Sequence, residues 1–166
     1  MESNPGLTYL NEILYHRPYA YACMNGSAAY PDLYGMVRFY QAEGGTLLNV
    51  EIYDLPVSPW PCGANVYGFH IHEGNACTGN ATDAFADAKG HYNPTNCEHP
   101  AHAGDLPPLF ADNGGFAWYN FFAGRFSCSE IVGRTVIIHH MSDDFKTQPS
   151  GDSGEKIGCG VIIKTA

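Results

Sequence analysis

Histidines are the residues of this sequence whose type and spacing could do chemistry, and the first pair lies in the stretch GFHIHE. His70 and His72 stand on either side of Ile71, and side chains two apart on a strand point to the same face. Both imidazoles can therefore converge on one ion. His139 follows the apolar run VII of another predicted strand, and three imidazole nitrogens together suit copper or zinc.

A second cluster lies in the stretch GHYNPTNCEHPAHAGD, which contains three histidines and a nearby carboxylate. Its candidate ligands are His91, His99, His102 and Asp105. Three imidazoles and one carboxylate form a closed four-coordinate set, which is the kind that zinc prefers in structural sites. The sequence therefore predicts metal binding by residues that are distant along the chain.

Short strands separated by turn residues must position these side chains. The chain of 166 residues has 19 glycines and 11 prolines, which are many for a helical protein, and its 11 tyrosines and 9 phenylalanines favour strands. Strand patterns occur at 20–24, 33–42, 46–55, 66–73, 115–124, 133–140 and 157–164. Two long polar loops, at 74–114 and 141–155, interrupt these patterns. This alternation predicts an all-β sandwich or barrel with two long functional loops.

The pattern predicts one domain with a short appendage. Residues 1–18 are expected to form an N-terminal appendage that contains a short helix, and residues 19–166 are expected to form the β-domain. No basic segment followed by an apolar run opens the sequence, so we expect a cytoplasmic protein or the trimmed form of a secreted one.

The charge balance excludes two classes of partner. The formal net charge is −9, and only eight lysines and arginines are present. Nucleic-acid binding needs a basic face, and basic membrane anchors need clustered cations. No stretch has the length of apolar residues that spans a bilayer. We therefore expect neither nucleic acid nor a membrane as a partner.

Five motifs connect these observations. GFHIHE, GHYNP, HAGDLP, GRTVIIHH followed by SDD, and CGVI occur in this order over residues 68–162. Together they resemble the copper/zinc superoxide dismutase family. The resemblance implies an eight-stranded Greek-key β-barrel, which is related to the immunoglobulin-like sandwich. It also implies an antioxidant oxidoreductase that converts superoxide to oxygen and hydrogen peroxide by cycling of a histidine-bound copper.

The resemblance assigns metal ligands to positions of this chain, namely copper to His70, His72, His91 and His139, and zinc to His91, His99, His102 and Asp105. His91 is then a bridging ligand that both metals share. Asp143 matches a carboxylate that hydrogen-bonds one histidine of each metal, which fixes ring orientation. Cys77 and Cys159 match the disulfide bond of the family.

The resemblance makes His91 and Lys156 the catalytic residues. His91 takes a proton during turnover, and Lys156 stands where the family has an arginine that orients the anion. Lysine keeps the charge but lacks the planar fork of arginine, so we expect a slower enzyme rather than an inactive one. Attraction of superoxide, the expected small-anion partner, would depend on Lys146 and Lys156 besides the metal.

Some points stay open at the level of sequence. Only two residues separate His99 from His102, so the zinc loop is short, and His99 either reaches zinc or stays free. Cys62 and Cys97 either form a second disulfide bond, or Cys97 is a metal ligand. A module that buffers or carries copper and zinc without turnover is the main alternative function, and a structural domain without metal is the next. A homodimer is also left open.

Overall fold

Strands form the framework of the computed structural model, which describes residues 11, 13, 15–60 and 62–166. In chain order the strands are β1 (Ala20–Gly26), β2 (Tyr34–Ala42), β3 (Gly45–Tyr53), β4 (Val66–Tyr67), β5 (Phe69–His72), β6 (Leu109–Phe110), β7 (Ala117–Ala123), β8 (Thr135–His139) and β9 (Lys156–Lys164). A short helix α1 (Cys128–Ile131) lies between β7 and β8, and a 3-10 turn (Ala86–Ala88) lies in the loop after β5.

Seven strands form one antiparallel sheet in the order β5-β8-β9-β1-β2-β3-β7, and β4 pairs with β6. The strand β9 returns to lie beside β1 of the β1-β2-β3 meander, which gives the strand order typical of a Greek key. The sheet curls into a barrel-like sandwich, and the all-β prediction is confirmed.

The strand predicted at 66–73 is broken at Gly68 into β4 and β5, which pair with different partners. The main chain of Gly68 bonds instead to the end of β8 and to the loop after it. Its carbonyl accepts from the His139 N–H at 2.8 Å, and its N–H donates to Met141 O at 2.7 Å. A Cβ at Gly68 would lie 2.9 Å from the side chain of Ser153, so glycine permits this close approach. When residues 66–72 are counted as one strand, the part of the chain that the structure describes contains eight strands, the number that the resemblance implied.

Alternation along β5 separates the core from the histidines. Phe69 and Ile71 are fully buried in the main hydrophobic core, so His70 and His72 must point to the opposite face. On the neighbouring β8, Val136 and Ile138 face the same core. The strand pattern thus presents the imidazoles on the side of the sheet that the two long loops cover.

A disulfide bond ties the first long loop to the sheet. Cys77, in the loop after β5, is bonded to Cys159 of β9, as the resemblance implied. Cys62 and Cys97 are both exposed free thiols, so the second disulfide bond left open by the sequence does not form.

The expectations about the N-terminal appendage and about membrane spans can be compared only with the residues that the structure describes. The appendage at 1–18 lies largely outside them, so the division into an appendage and a domain at 19–166 stays a prediction. Within the described residues, no helix has the length and apolar character needed to cross a membrane.

Candidate metal centre

Four buried histidines converge on the face of β5 and β8 that points away from the core. His70 and His72 come from β5, His139 ends β8, and His91 is brought beside His72 by an isolated β-bridge. Each side chain offers one ring nitrogen, and these atoms lie within 4.8 Å of one another. We call these four residues the first histidine group. The structure therefore brings together all four histidines that the sequence analysis selected as copper ligands.

Backbone carbonyls set the orientation of two of these rings. Nδ1 of His72 lies 2.8 Å from the carbonyl oxygen of Lys89, and Nδ1 of His139 lies 3.1 Å from that of Gly154. A carbonyl accepts only, so Nδ1 carries the proton on each neutral ring. The two Nε2 atoms then present lone pairs to each other at 3.3 Å. Two acceptors at that distance repel unless a cation lies between them, which is what a metal would supply.

Asp143 connects the first histidine group to a second set of side chains. Its carboxylate accepts hydrogen bonds from Nε2 of His70 at 2.8 Å and from Nε2 of His99 at 2.9 Å. The other ring nitrogen of each histidine, Nδ1, is buried and makes no hydrogen bond, although Nδ1 of His99 lies 3.1 Å from the Asp105 carboxylate. A buried polar atom without a partner is rare and needs an explanation. Here His70 and His99 each belong to a set of candidate metal ligands, so a metal would supply the missing partner.

That second set is the acidic group: His91, His99, His102 and Asp105. Its ligand atoms also lie within 4.8 Å of one another. The carboxylate of Asp105 is 2.7 Å from Nδ1 of His91, 3.1 Å from Nδ1 of His99 and 3.3 Å from Nδ1 of His102. Three imidazoles and one carboxylate are the donor set expected for a closed zinc site.

The short loop does bring His99 into the acidic group. A turn closes around His99 and Pro100, where the Ala101 N–H donates to the carbonyl of Glu98 at 2.8 Å. His102 is fixed in turn by its own N–H, which donates to the Asp105 carboxylate at 3.0 Å. Cys97 is not part of either group, so the alternative in which it is a ligand finds no support.

His91 belongs to both groups. Its Nδ1 faces Asp105, while its Nε2 is buried without a hydrogen-bond partner and is the remaining atom available to the first histidine group. An imidazole has one nitrogen on each side of its ring, so a single side chain can contact two cations. No other residue of either group is shared.

The protonation states suit metal binding. Burial lowers the pKa of His70 to about 4, although the Asp143 carboxylate opposes the shift. Burial, together with the neighbouring His70, lowers the pKa of His139 to about 3, and burial beside His139 holds the pKa of His72 well below its usual range. Burial opposes ionisation of Asp143, but hydrogen bonds led by that from His70 lower its pKa to about 2. Near neutral pH the three rings are thus neutral, which is the form that binds metals.

A cavity of about 450 Å³ opens the first histidine group to solvent. We call it the mouth cavity; it is lined by His72, His91, His102 and His139 together with Glu73, Lys89, Gly90, Asn93, Asn96, Pro149, Ser150, Gly154 and Lys156. The cavity therefore gives a substrate access to His72, His91 and His139, three members of the first histidine group.

Two lysine side chains, Lys89 and Lys156, line the mouth cavity, and only Lys156 was expected there from the sequence. Lys156 lines it as expected, but its Nζ donates to the Asp83 carboxylate at 2.6 Å and to the Phe85 carbonyl at 3.2 Å. Lys89, which the sequence analysis missed, also lines the cavity, whereas Lys146 does not. The position of Lys89, two residues before His91, is the sequence signal that could have indicated its place in the cavity.

Comparison with known proteins agrees with this geometry. The family model for copper/zinc superoxide dismutase matches residues 33–162. Superoxide dismutase [Cu-Zn] of Legionella pneumophila is 32% identical over 139 residues, which cover 80% of this chain and 79% of that protein. The dismutase of Paramecium bursaria Chlorella virus 1 is 31% identical over 144 residues, covering 77% and 71%.

The fold is also shared with a solved structure. Cu/Zn superoxide dismutase from Brucella abortus superposes with a TM-score of 0.72 at 26% identity, covering 86% of this chain and 98% of that one. The family match covers both metal-ligand groups, Asp143 and the disulfide bond. On these grounds the chain belongs to the copper/zinc superoxide dismutase family.

Proposed function

We propose that this chain catalyses the disproportionation of superoxide, with copper in the first histidine group and zinc in the acidic group. The reaction consumes two superoxide anions and two protons and yields one oxygen molecule and one hydrogen peroxide. The observation that carries the proposal is His91, whose two ring nitrogens belong to two different ligand groups.

The residues fit both metals by their donor atoms. All four side chains of the first histidine group offer imidazole nitrogen, and the acidic group adds a carboxylate. Imidazole suits copper, and the closed set with a carboxylate suits zinc. When bound, copper supplies the one-electron redox couple, and zinc supplies positive charge at Nδ1 of His91. The unpartnered buried nitrogens of His70, His91 and His99 are the atoms through which this chain would hold them.

In this proposal His91 holds and releases one of the two protons of the reaction at Nε2, and the second proton comes from solvent through the mouth cavity. With zinc bound, Asp105 and Nδ1 of His91 would hold the same ion, so the ring would keep its orientation while Nε2 changes protonation. Nε2 is the nitrogen available to the first histidine group, and His91 lines the mouth cavity, from which a proton can enter. A general acid within reach of the reacting atoms is what the second half of the disproportionation needs.

Lys156 and Lys89 attract and orient the anion at the mouth. The protein has a net charge of −9, so local positive charge must offset the overall repulsion. Asp83 compensates part of the charge on Lys156, and lysine lacks the planar fork of arginine. Both features favour a modest rate of reaction with superoxide.

A module that only stores metal would have the same ligands. The open mouth cavity favours turnover, because it leads to His72, His91 and His139, and a storage site needs no such opening. The acidic group, in contrast, has three imidazoles and one carboxylate, a closed donor set that suits a structural role for zinc.

A direct assay tests the proposal. Protein refilled with copper and zinc should remove superoxide faster than the same amount of free copper. The decay of superoxide after a radiolysis pulse measures both rates. The His139→Ala variant should lose this activity, and His140→Ala should keep it, because His140 is exposed and belongs to neither ligand group. Activity of the refilled protein no greater than that of free copper would overturn the proposal.

A further inference from the structure

The loop that places His99 and His102 is held by side chains from two other parts of the chain. Within the loop, only Pro100 and Ala101 separate the two ligands. A turn this short has few main-chain hydrogen bonds of its own, so carbonyl and N–H groups around the two ligands need partners from outside. Neither of the two partner residues, Gln148 and Arg125, belongs to a ligand group.

Gln148, from the loop after β8, pairs with the main chain of His99 in both directions. Its Nε2 donates to the carbonyl of His99 at 2.7 Å, and its Oε1 accepts from the His99 N–H at 2.9 Å. The two residues are 49 positions apart, so this pair links the second long loop to the first. It fixes the peptide groups on both sides of the ligand, whose ring is held separately by Asp143.

Arg125, from the connection between β7 and α1, closes the other side of the turn. Its Nη1 donates to the carbonyl of Pro100 at 3.0 Å and to the carbonyl of His102 at 2.9 Å. A single charged group thus holds two carbonyls, one on each side of Ala101. Hydrogen bonds from charged donors are stronger than neutral ones and fix the backbone accordingly.

We infer that Gln148 and Arg125 are positioning residues for zinc, and that they hold His99 and His102 in the geometry that a short loop would not keep by itself. The inference rests on the proposed assignment of zinc to the acidic group. Neither residue contacts a ring of the first histidine group, so their effect is specific to one of the two metals.

The experiment compares affinities for zinc and copper in the same variants. Gln148→Ala and Arg125→Ala are prepared without metal, and each affinity is measured by competition with a chromophoric chelator. Cobalt(II) placed in the acidic group reports its coordination through the visible absorption spectrum. Gln41→Ala and Arg38→Ala are matched controls, because Gln41 also bonds main-chain groups and Arg38 also makes charged hydrogen bonds, both distant from the metal ligands.

We expect each test variant to lose zinc affinity by about 10- to 100-fold, the range typical of residues that orient metal ligands, with copper affinity changed less than about 3-fold. The cobalt spectrum should shift in the same variants, and Arg125→Lys should recover part of the zinc affinity. The controls should keep both affinities.

Three outcomes would contradict the inference. Unchanged zinc affinity in both test variants overturns it, and so does an equal loss of both metals, which would show a merely structural role. If the unaltered protein binds no zinc at all, the proposed zinc site fails, and the inference fails with it. The measurements need no dismutase activity, so a failure of the catalytic proposal is recognised separately.

Discussion

The Asp143 carboxylate offers the sharpest test of the two-metal arrangement, because it touches one ligand of each group. It accepts from His70 at 2.8 Å and from His99 at 2.9 Å, and all three side chains are nearly inaccessible to solvent. The Asp143→Ala variant removes both acceptors at once. Two buried ring N–H groups then lose their partners, and both rings are free to turn away from the metal.

The size of the effect follows from these two contacts. Loss of a residue that orients a metal ligand typically lowers affinity by about 10- to 100-fold, or about 1.4–2.7 kcal/mol of binding free energy. Since each metal loses one oriented ligand, we expect a loss in this range for copper and for zinc alike. A chelator competition on folded, metal-free protein measures both values.

Asp144→Ala is the matched control. Asp144 is the next residue, and it is exposed and caps main-chain N–H groups of Lys146 and Thr147 without contact to a histidine. Both affinities should stay within about 3-fold of the unaltered protein. If Asp143→Ala weakens one metal only, or if Asp144→Ala has the same effect as Asp143→Ala, the bridging role derived from the structure is wrong.

Further predictions concern the disulfide bond, the core and the mouth cavity. Replacement of both Cys77 and Cys159 by serine should lower the free energy of unfolding by roughly 4–5 kcal/mol in the chain-entropy account, because the bond closes a separation of 82 residues. A loss below about 1 kcal/mol, measured by urea unfolding, would contradict this expectation. Ile71→Ala should cost about 2–5 kcal/mol of stability, because Ile71 is fully buried in the core between two ligands; calorimetry that finds no change would refute this. Lys156→Ala and Lys89→Ala should each lower the rate constant with superoxide, on the order of twofold to tenfold, and weaken its dependence on ionic strength. A rate that is unchanged in both lysine variants would show that neither cation attracts the anion.

The sequence predicts the part of the site that depends on strand periodicity. His70 and His72 flank Ile71, and the two-residue period of a strand is enough to place both rings on one face. The apolar run before His139 places that residue in the same way. The disulfide bond and the bridging role of Asp143 came from the family resemblance and not from periodicity. The disulfide bond is present where the resemblance implied, and Asp143 contacts His70 and His99, but its role between two metals stays a prediction.

Loop conformation and charge pairing lie beyond such periodicity. Whether His99 could reach the acidic group depends on Gln148 and Arg125, which are distant along the chain. The partner of Lys156 is Asp83, which is 73 residues away and has no pattern to indicate it. The break at Gly68 likewise follows from the approach of the loop after β8, which no local preference of glycine specifies.

The two-metal centre is tested most directly by a crystal of the refilled protein, with anomalous diffraction recorded at the copper and zinc absorption edges. We expect one copper peak bound by Nδ1 of His70 and by Nε2 of His72 and His139. A separate zinc peak should lie within the acidic group, with the His91 ring between the two ions. Rings of His70, His72 and His139 that point to different places, or that surround no copper after copper has been supplied, would contradict the account.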